Sequence, residues 1–238
     1  MSKGVIKSLI VAVALTIGGC LIFMMAIGLG GAGFGILSSS DYETVTHKAE
    51  NDFDSIVIDE AASTVWIRDP ETSVDVGAIA KGYATEQVAK WLEKQDIYCA
   101  LLNVGGNVRA AGKKPDGTPW TVGLENPQDV ETDYLAYLSL ANEALVTSGS
   151  YQRYYIVDGK SYHHIIHPDT LMPAEGYLAV SVVCHDSGLG DALSTALFCM
   201  SIEEGKALVA TLDGVAVSWV TSDGKQTVSD GWNNYVKD

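Results

Sequence analysis

An uninterrupted hydrophobic segment occupies the beginning of the chain. It runs from Leu9 to about Leu37, is broken mainly by glycines, and follows Lys3 and Lys7. Such a run exceeds the roughly 20 residues that cross a bilayer, whereas the apolar region of a cleaved signal peptide has only about 7 to 15. We therefore expect residues 1–40 to form a transmembrane anchor, with a cytoplasmic N-terminus and the rest of the chain outside the cytoplasmic membrane of a bacterium.

Two other interpretations of this segment remain open. Residues 17–20, with the sequence IGGC, resemble a lipoprotein cleavage box that ends at Cys20. We favour it less, because the hydrophobic run continues past Cys20 and a mature lipoprotein would expose that part to water. A helix buried in a soluble core is the third possibility, and the length of the run argues against it.

Beyond residue 40 the pattern changes to short alternating stretches. Residues 41–52 are polar and predict a linker, and Phe53 to Ile67 alternates like strands around a turn at 60–63. Apolar residues then recur at helical spacing from Ala80 to Leu92, directly after Gly77. The remaining predicted elements are strands around a GGN turn, a PDG turn and a DG hairpin turn, two helices near residues 187–199 and 202–212, and a final hairpin at Asp223 and Gly224.

The helix after Asp186 carries the first candidate chemistry. Asp191 and Thr195 lie four residues apart, so a carboxylate and a hydroxyl point to the same side of the helix, while its apolar residues can pack elsewhere. Two hard oxygen donors on one face can share a divalent cation. The alternative is an ordinary capping or solvated pair, which is the commoner role of Asp and Thr near a helix start.

The net charge limits the possible binding partners, and the cysteine spacing limits the possible roles of the thiols. The formal charge is −15, and all 30 acidic residues follow the hydrophobic segment. Nucleic acid is therefore not expected as a partner, and an anionic phosphate ligand would need a local cation. Cys20, Cys99, Cys184 and Cys199 have no CxxC spacing. We expect the last three to be buried free thiols in strands or a helix end.

Three further features invite a functional interpretation. Lys81 lies in the predicted first turn of a helix, where an anionic ligand would offset an unfavourable dipole interaction, although a solvent-facing lysine fits equally well.

Gly105 and Gly106 predict a hairpin tip that a flat or phosphate-bearing ligand could approach, but no helix follows, so this is not a Rossmann site. His163, His164 and His167 lack zinc-like spacing with Cys or Glu, and we expect one histidine, rather than three together, to act on a ligand.

Six motifs in sequence order resemble those of the ApbE family of FAD:protein FMN transferases. They are VDVGAIAKGYA, LLNVGGNVRAAG, WTVGLENP, VTSGSYQRYY, HHIIHPDTLMPA and DALSTALF. The resemblance implies an α+β, T-fold-type domain in which mixed sheet layers pack against helices. It implies a Mg²⁺-dependent reaction that transfers FMN from FAD to a Thr or Ser hydroxyl of a target protein, such as a redox pump or reductase subunit, and releases AMP.

The resemblance also implies roles for individual residues. Asp191, Thr195 and the backbone carbonyl of Ala78 match the metal ligands of the family. Lys81 matches a lysine near the phosphates, and together with His164 and Asp191 it is a candidate catalytic residue. The positions matching FAD-binding segments are Ala80, Lys81, Asn103, Gly105, Gly106, Glu125, Pro127, Thr147, Ser148, Gly149 and His164.

The motifs begin only near Val74, and this sets the predicted domain organisation. Residues 1–40 form the anchor, 41–73 a linker with a short strand segment unlike the family, and 74–238 the transferase-like domain. His167 stands where the family usually has Asp. A flavin-binding protein without transferase activity, or an inactive remnant of the family, is the alternative to an active enzyme.

Overall fold

The computed structural model describes residues 56–68, 76–129, 134–151 and 153–237. The predicted anchor (1–40, including Cys20) and the polar linker at 41–52 lie outside these ranges. Within them, no helix has the length and apolar character needed to span a bilayer.

The described chain is a mixed α+β protein, as the family resemblance implied. The helices are α1 (Gly77–Lys94), α2 (Ser187–Phe198) and α3 (Ile202–Val209), with a 3₁₀ turn at Trp232–Asn234. The strands are β1 (Ile56–Asp59), β2 (Thr64–Ile67), β3 (Cys99–Val104), β4 (Asn107–Gly112), β5 (Trp120–Glu125), β6 (Tyr134–Leu140), β7 (Ala144–Gly149), β8 (Tyr154–Val157), β9 (Lys160–His163), β10 (Tyr177–Cys184), β11 (Ala216–Thr221) and β12 (Gln226–Val228).

Six strands form one antiparallel sheet in the order β12-β11-β10-β7-β4-β3. The central pair, β7 and β10, is in register from Ala179 opposite Gly149 to Cys184 opposite Ala144. Three separate hairpins, β1–β2, β5–β6 and β8–β9, complete the described strands. The predicted turns are confirmed: Gly105 and Gly106 have φ of 56° and 85°, values that favour glycine, between β3 and β4.

Helix α2 packs against the middle of this sheet. It begins where the Asp186 side chain accepts hydrogen bonds from the amides of Gly188 and Leu189. Leu193 and Leu197 are buried with Val180, Val182 and Trp219. Each fully buried aliphatic side chain of this kind contributes about 1.5–3 kcal/mol, so these contacts hold α2 firmly on the sheet.

The start and the orientation of α1 differ from the sequence prediction. The helix begins at Gly77 rather than after it, which places Lys81 beyond the first turn. The apolar positions expected to face the core are mostly exposed, Trp91 at 58% and Val88 at 47%. The buried positions are instead Gly82, Thr85, Glu86 and Ala89. Small and paired polar residues face the interior because α1 lies directly against α2.

The predicted burial of the three later cysteines is correct only in part. Cys184 is buried at the end of β10, and Cys199 is half-buried at the C-cap of α2. Cys99 is exposed, because β3 is the last strand of the sheet in the described part of the chain and its odd-numbered positions face outward. All three are free thiols.

Candidate active site

Asp191 lies on the face of α2 that meets α1, and both of its carboxylate oxygens have donors from α1. Lys81 Nζ lies 2.5 Å from Oδ1, and the Gly82 amide donates to Oδ2 at 2.7 Å. The Asp191 side chain is 7% exposed and the Lys81 side chain 33%. The predicted alternative for Asp191, a capping role, belongs instead to Asp186.

Gly82 makes this contact between the helices possible. A Cβ at Gly82 would lie 2.3 Å from the Ser187 carbonyl oxygen and 2.6 Å from Asp191 Cβ. Any larger residue would separate α1 from α2 and pull Lys81 away from Asp191. Gly82 belongs to the AKG motif, yet the sequence alone indicated no reason for a glycine at this position.

A cluster of hydroxyl groups extends the site from α2 to β7. Ser148 Oγ lies 2.8 Å from Ser194 Oγ and 3.1 Å from Thr195 Oγ1. Ser194 and Thr195 also donate to the Asp191 carbonyl at 3.0 and 3.3 Å. Thr195 therefore contacts both Ser148 and the Asp191 backbone carbonyl. The ligand-binding roles of Thr195 and Ser148 stay predictions, and Ser194 is an additional member of the cluster that sequence reasoning missed.

A buried ion pair supports the start of α2 beneath this cluster. Glu86 Oε2 accepts hydrogen bonds from Arg109 Nε and from the Ser187 amide, both at 2.9 Å. The side chains of Glu86 and Arg109 are 5% and 4% exposed. A buried pair of this kind is strongly destabilising to break because one charge would then lack its partner. Glu86 was not predicted, since a glutamate in the middle of a helix usually faces solvent.

Ala78 and Ala80 occupy the first turn of α1. In a regular helix the Ala78 carbonyl would accept from the Gly82 amide, and here that amide donates to Asp191. The Gly82 amide therefore places the Asp191 carboxylate beside the turn that carries the Ala78 carbonyl. Ala78 is half-buried and Ala80 is exposed.

The GGN turn lies next to Lys81. Asn103 Oδ1 accepts a hydrogen bond from the Gly106 amide at 3.2 Å, which closes the turn. A Cβ at Gly105 would lie 3.7 Å from Lys81 Cδ, so Gly105 is the point at which the turn approaches the lysine side chain. Asn103, Gly105 and Gly106 are thus placed beside the ion pair by the β3–β4 hairpin.

The remaining predicted ligand-binding residues lie at the end of β7 and in the adjoining groove. Thr147 faces the other side of the sheet from Ser148, and its Oγ1 lies 2.8 Å from Ser181 Oγ. Tyr151, just after Gly149, donates to Glu125 Oε2 at 3.3 Å. Pro127 and Tyr151 line an open cavity of about 700 Å³, together with His163 and Tyr177.

The histidines have separate backbone partners. His163 Nε2 lies 2.8 Å from the Ala174 carbonyl oxygen, and His164 Nδ1 lies 3.3 Å from the Arg153 carbonyl oxygen. Burial lowers the pKa of both imidazoles below the usual value. Within the described residues, the hydrogen bond of His164 is thus to the chain near β8 and not to the Asp191 cluster. Its predicted catalytic role stays a prediction.

The residues around Asp191 fit a hard divalent cation. Asp191 offers a buried carboxylate, the first turn of α1 offers the Ala78 carbonyl, and Thr195 offers a hydroxyl that contacts Ser148 and the Asp191 backbone carbonyl. All of these are oxygen donors of the type that Mg²⁺ prefers. Among the described residues there is no group of three His, Cys, Asp or Glu side chains that could hold a metal. A cation here would therefore depend on hydroxyl, carbonyl and substrate oxygens as well as on Asp191.

Fold and site together define an α+β domain in which a lysine of α1 pairs with a carboxylate of α2, and in which hydroxyl groups of α2 contact a serine of β7. The chain belongs to the ApbE family, whose sequence profile matches residues 26–219. This match begins upstream of Val74, where the recognisable motifs begin.

The similar proteins are flavin transferases by name. The FAD:protein FMN transferase of Klebsiella pneumoniae is 35% identical over 169 residues, which cover 71% of this chain and 52% of that protein. The Escherichia coli K12 protein of the same name is 34% identical and covers 65% and 44%. The chain therefore spans about half the length of these curated relatives.

Solved structures show the same fold. The ApbE protein of Thermotoga maritima superimposes with a TM-score of 0.80 at 26% identity, covering 100% of this chain and 79% of that one. The flavin transferase ApbE of Vibrio cholerae gives a TM-score of 0.73 at 25% identity, with coverage of 99% and 77%.

Proposed function

We propose that this chain transfers FMN from FAD to a Thr or Ser hydroxyl of a target protein and releases AMP. The observation that carries the proposal is the contact of Lys81 and the Gly82 amide with the Asp191 carboxylate, on the same helix whose Thr195 hydroxyl contacts Ser148. The names of the relatives, which are FAD:protein FMN transferases, support it.

The metal ligands would be the Asp191 carboxylate, the Thr195 hydroxyl and the Ala78 carbonyl. When bound, Mg²⁺ would neutralise the charge that builds up on the diphosphate oxygens. Phosphoryl-type transfer has little covalent chemistry for the protein to do, so the contribution of the chain is positioning and electrostatic stabilisation.

Each side chain of the cluster then has a defined task. Lys81 offers the phosphates an ammonium group, and the adjacent GGN turn leaves the backbone of Gly105 and Gly106 accessible to a ligand. Ser148 holds Thr195 Oγ1 in position through its hydrogen bond. Glu86 and Arg109 hold the start of α2, and thereby Asp191, against α1.

The reaction balances without a redox partner. The acceptor hydroxyl oxygen attacks the phosphorus on the FMN side of the diphosphate and forms a phosphoester. The bond between that phosphorus and the bridging oxygen breaks, and the electron pair leaves with AMP. The hydroxyl proton is released to solvent.

Replacing Asp191 tests the proposal. We expect Asp191→Asn to lower AMP release and flavin incorporation into a threonine-bearing acceptor by about a hundredfold or more, because a neutral amide cannot provide the charge of the carboxylate. Asp186→Asn is the matched control, since it removes a carboxylate at the cap of the same helix and should leave the rate within severalfold of that of the parent.

Two outcomes would contradict the proposal. Unchanged transfer by Asp191→Asn at saturating FAD and Mg²⁺ would remove Asp191 from the site. FAD binding by the parent chain without any AMP release in the presence of acceptor would favour the alternative, a flavin-binding protein that transfers nothing.

We also propose that the domain works outside the cytoplasmic membrane, attached by the segment from Leu9 to Leu37. The support is the length of that segment and the lysines before it. Protease treatment of spheroplasts should degrade the domain, and metabolic labelling with palmitate would distinguish lipidation at Cys20 from a membrane-spanning anchor. Protection of the domain from protease would place it in the cytoplasm instead.

A further inference from the structure

The ion pair between Lys81 and Asp191 occupies the same carboxylate that the proposed function assigns to a divalent cation. Oδ1 contacts the lysine ammonium at 2.5 Å, and Oδ2 accepts from the Gly82 amide at 2.7 Å. Asp191 is almost completely buried, so an unpaired charge there would be costly. Lys81 therefore provides the counter-charge of Asp191 in this structure.

Lys81 and a divalent cation are competitors for Asp191. An ammonium group and a second positive ion on one carboxylate lie only a few ångströms apart, and at that distance their repulsion inside a protein is substantial. Among the described residues, Asp191 is the acidic partner of Lys81, whereas Glu86 is already paired with Arg109. Once displaced, Lys81 needs a new anion.

The surroundings of the Lys81 side chain allow it to move from Asp191 to another anion. Its side chain is one-third exposed, and its flexible stem passes beside the GGN turn, which is closed by Asn103 and bears no side chains at its tip. A diphosphate at this turn would lie within the range of a lysine that has left Asp191.

We propose that Lys81 is an exchangeable counter-ion, which pairs with Asp191 before ligands bind and moves to the diphosphate of the nucleotide when a divalent cation binds Asp191. This inference rests on the proposed function, because it assumes the cation site at Asp191. It makes cation binding and nucleotide binding each strengthen the other through Lys81, in addition to any direct contact between the two ligands.

Binding of Mn²⁺, followed by electron paramagnetic resonance with and without ADP, tests the exchange. Without ADP, Lys81→Met should bind Mn²⁺ about tenfold more tightly than the parent, because the competing charge is gone. With ADP the gain should shrink or reverse, because the variant cannot contact the diphosphate. Lys90→Met is the matched control: it removes the same charge from the same helix, where Lys90 pairs with Asp186 at 3.1 Å, and should change Mn²⁺ affinity less than threefold.

Acetylation of the parent chain provides a second measurement. Lys81 should react slowly with acetic anhydride in the free protein, faster with Mn²⁺ alone, and slowly again with Mn²⁺ and ADP. Lys90, read in the same mass spectrum, should react at one rate throughout. A purely structural ion pair would leave Lys81 at a constant rate as well.

The outcomes separate this inference from the proposed function. If the parent binds Mn²⁺ with ADP but Lys81→Met binds it no more tightly without ADP, the exchange is wrong and the cation site stands. If Lys81→Met and Lys90→Met increase the affinity for Mn²⁺ equally, the lower positive charge of the protein explains the increase and the exchange is again wrong. If neither the parent nor Lys81→Met binds Mn²⁺ with or without ADP, the cation site fails and the exchange fails with it.

Discussion

The two faces of α1 reverse the usual relation between hydrophobicity and burial. The inner face, with Gly82, Thr85, Glu86 and Ala89, is buried against α2. The outer face exposes Val88 and Trp91. The close approach of the two helices and the complete pairing of the polar groups, rather than hydrophobicity, therefore decide which face of α1 is buried.

This difference has a direct chemical purpose at the site. A face of large apolar residues would keep α1 and α2 about 8–10 Å apart at their axes, as in ordinary helix packing. With glycine at the crossing, an amide and a lysine of α1 reach the carboxylate of Asp191. The geometry of the proposed site and the packing of the two helices therefore depend on the same contact.

The largest expected contrast between buried and exposed parts of the molecule is in the reactivity of two cysteine thiols. Burial raises the pKa of Cys184, at the end of the central strand β10, to about 12. This lowers its thiolate content at pH 8 by about a thousandfold relative to an ordinary thiol of pKa near 8.5. Cys99, on the exposed strand β3, should be alkylated rapidly by iodoacetamide in the native protein. Mass spectrometry of the digested protein checks this, and equal labelling of the two cysteines would show that β3 is covered or that Cys184 is accessible.

Removing the buried carboxylate of Glu86 should have the next largest effect, on the stability of the fold. Glu86→Ala leaves Arg109 buried without its main partner, and we expect a loss of about 3–5 kcal/mol in the free energy of unfolding. Glu93→Ala is the matched control, because Glu93 lies on the same helix, contacts the same arginine at 3.8 Å and is 34% exposed. It should cost less than about 1 kcal/mol. Similar losses in urea unfolding for both variants would mean that Glu86 has no special role.

A methyl group at the helix crossing should have a smaller effect on stability. Gly82→Ala places a Cβ against the Ser187 carbonyl, and we expect a loss of about 1–3 kcal/mol in the free energy of unfolding. We also expect weaker cation binding, because α1 would carry the Ala78 carbonyl away from Asp191. Ala84→Val, on the exposed face of the same helix, is the control and should leave cation binding unchanged. A Gly82→Ala protein with parental stability and cation affinity would contradict the proposed reason for the glycine.

The smallest effect is expected on the outer face. Trp91→Ser should change the free energy of unfolding by no more than about 0.5 kcal/mol, because the side chain is 58% exposed. Leu193→Ala, in the buried face of α2, should cost about 2–5 kcal/mol. A large loss for Trp91→Ser would reveal that residues outside the described ranges cover this face.

Much of the fold and part of the site could be predicted from the sequence. The α2 helix and the hairpins around glycine pairs follow from periodicity and turn chemistry, which are local properties. The pairing of Asp191 with Thr195 on one face follows from helix geometry. The family motifs then added Lys81 and Ser148, whose positions depend on contacts between distant parts of the chain.

The remainder depends on distances that no local pattern encodes. Trp91 and Val88 predicted the wrong face of α1, because burial there is decided by the glycine contact with α2. Nothing in the sequence indicates that Glu86 and Arg109, which are 23 residues apart, form a buried ion pair. The contact made by Ser194 could not be predicted, because its partner Ser148 lies on a strand that is distant in the sequence.

The composition of β3 has a consequence for handling the protein in solution. Its six residues, Cys99–Val104, carry no charge, and the strand lies at the edge of the sheet in the described part of the chain. Unpaired edge strands of this kind invite edge-to-edge aggregation. The net charge of −15 opposes such association only while it is unscreened. Solubility should therefore decrease as salt is added, and a lysine introduced by Leu101→Lys should restore it.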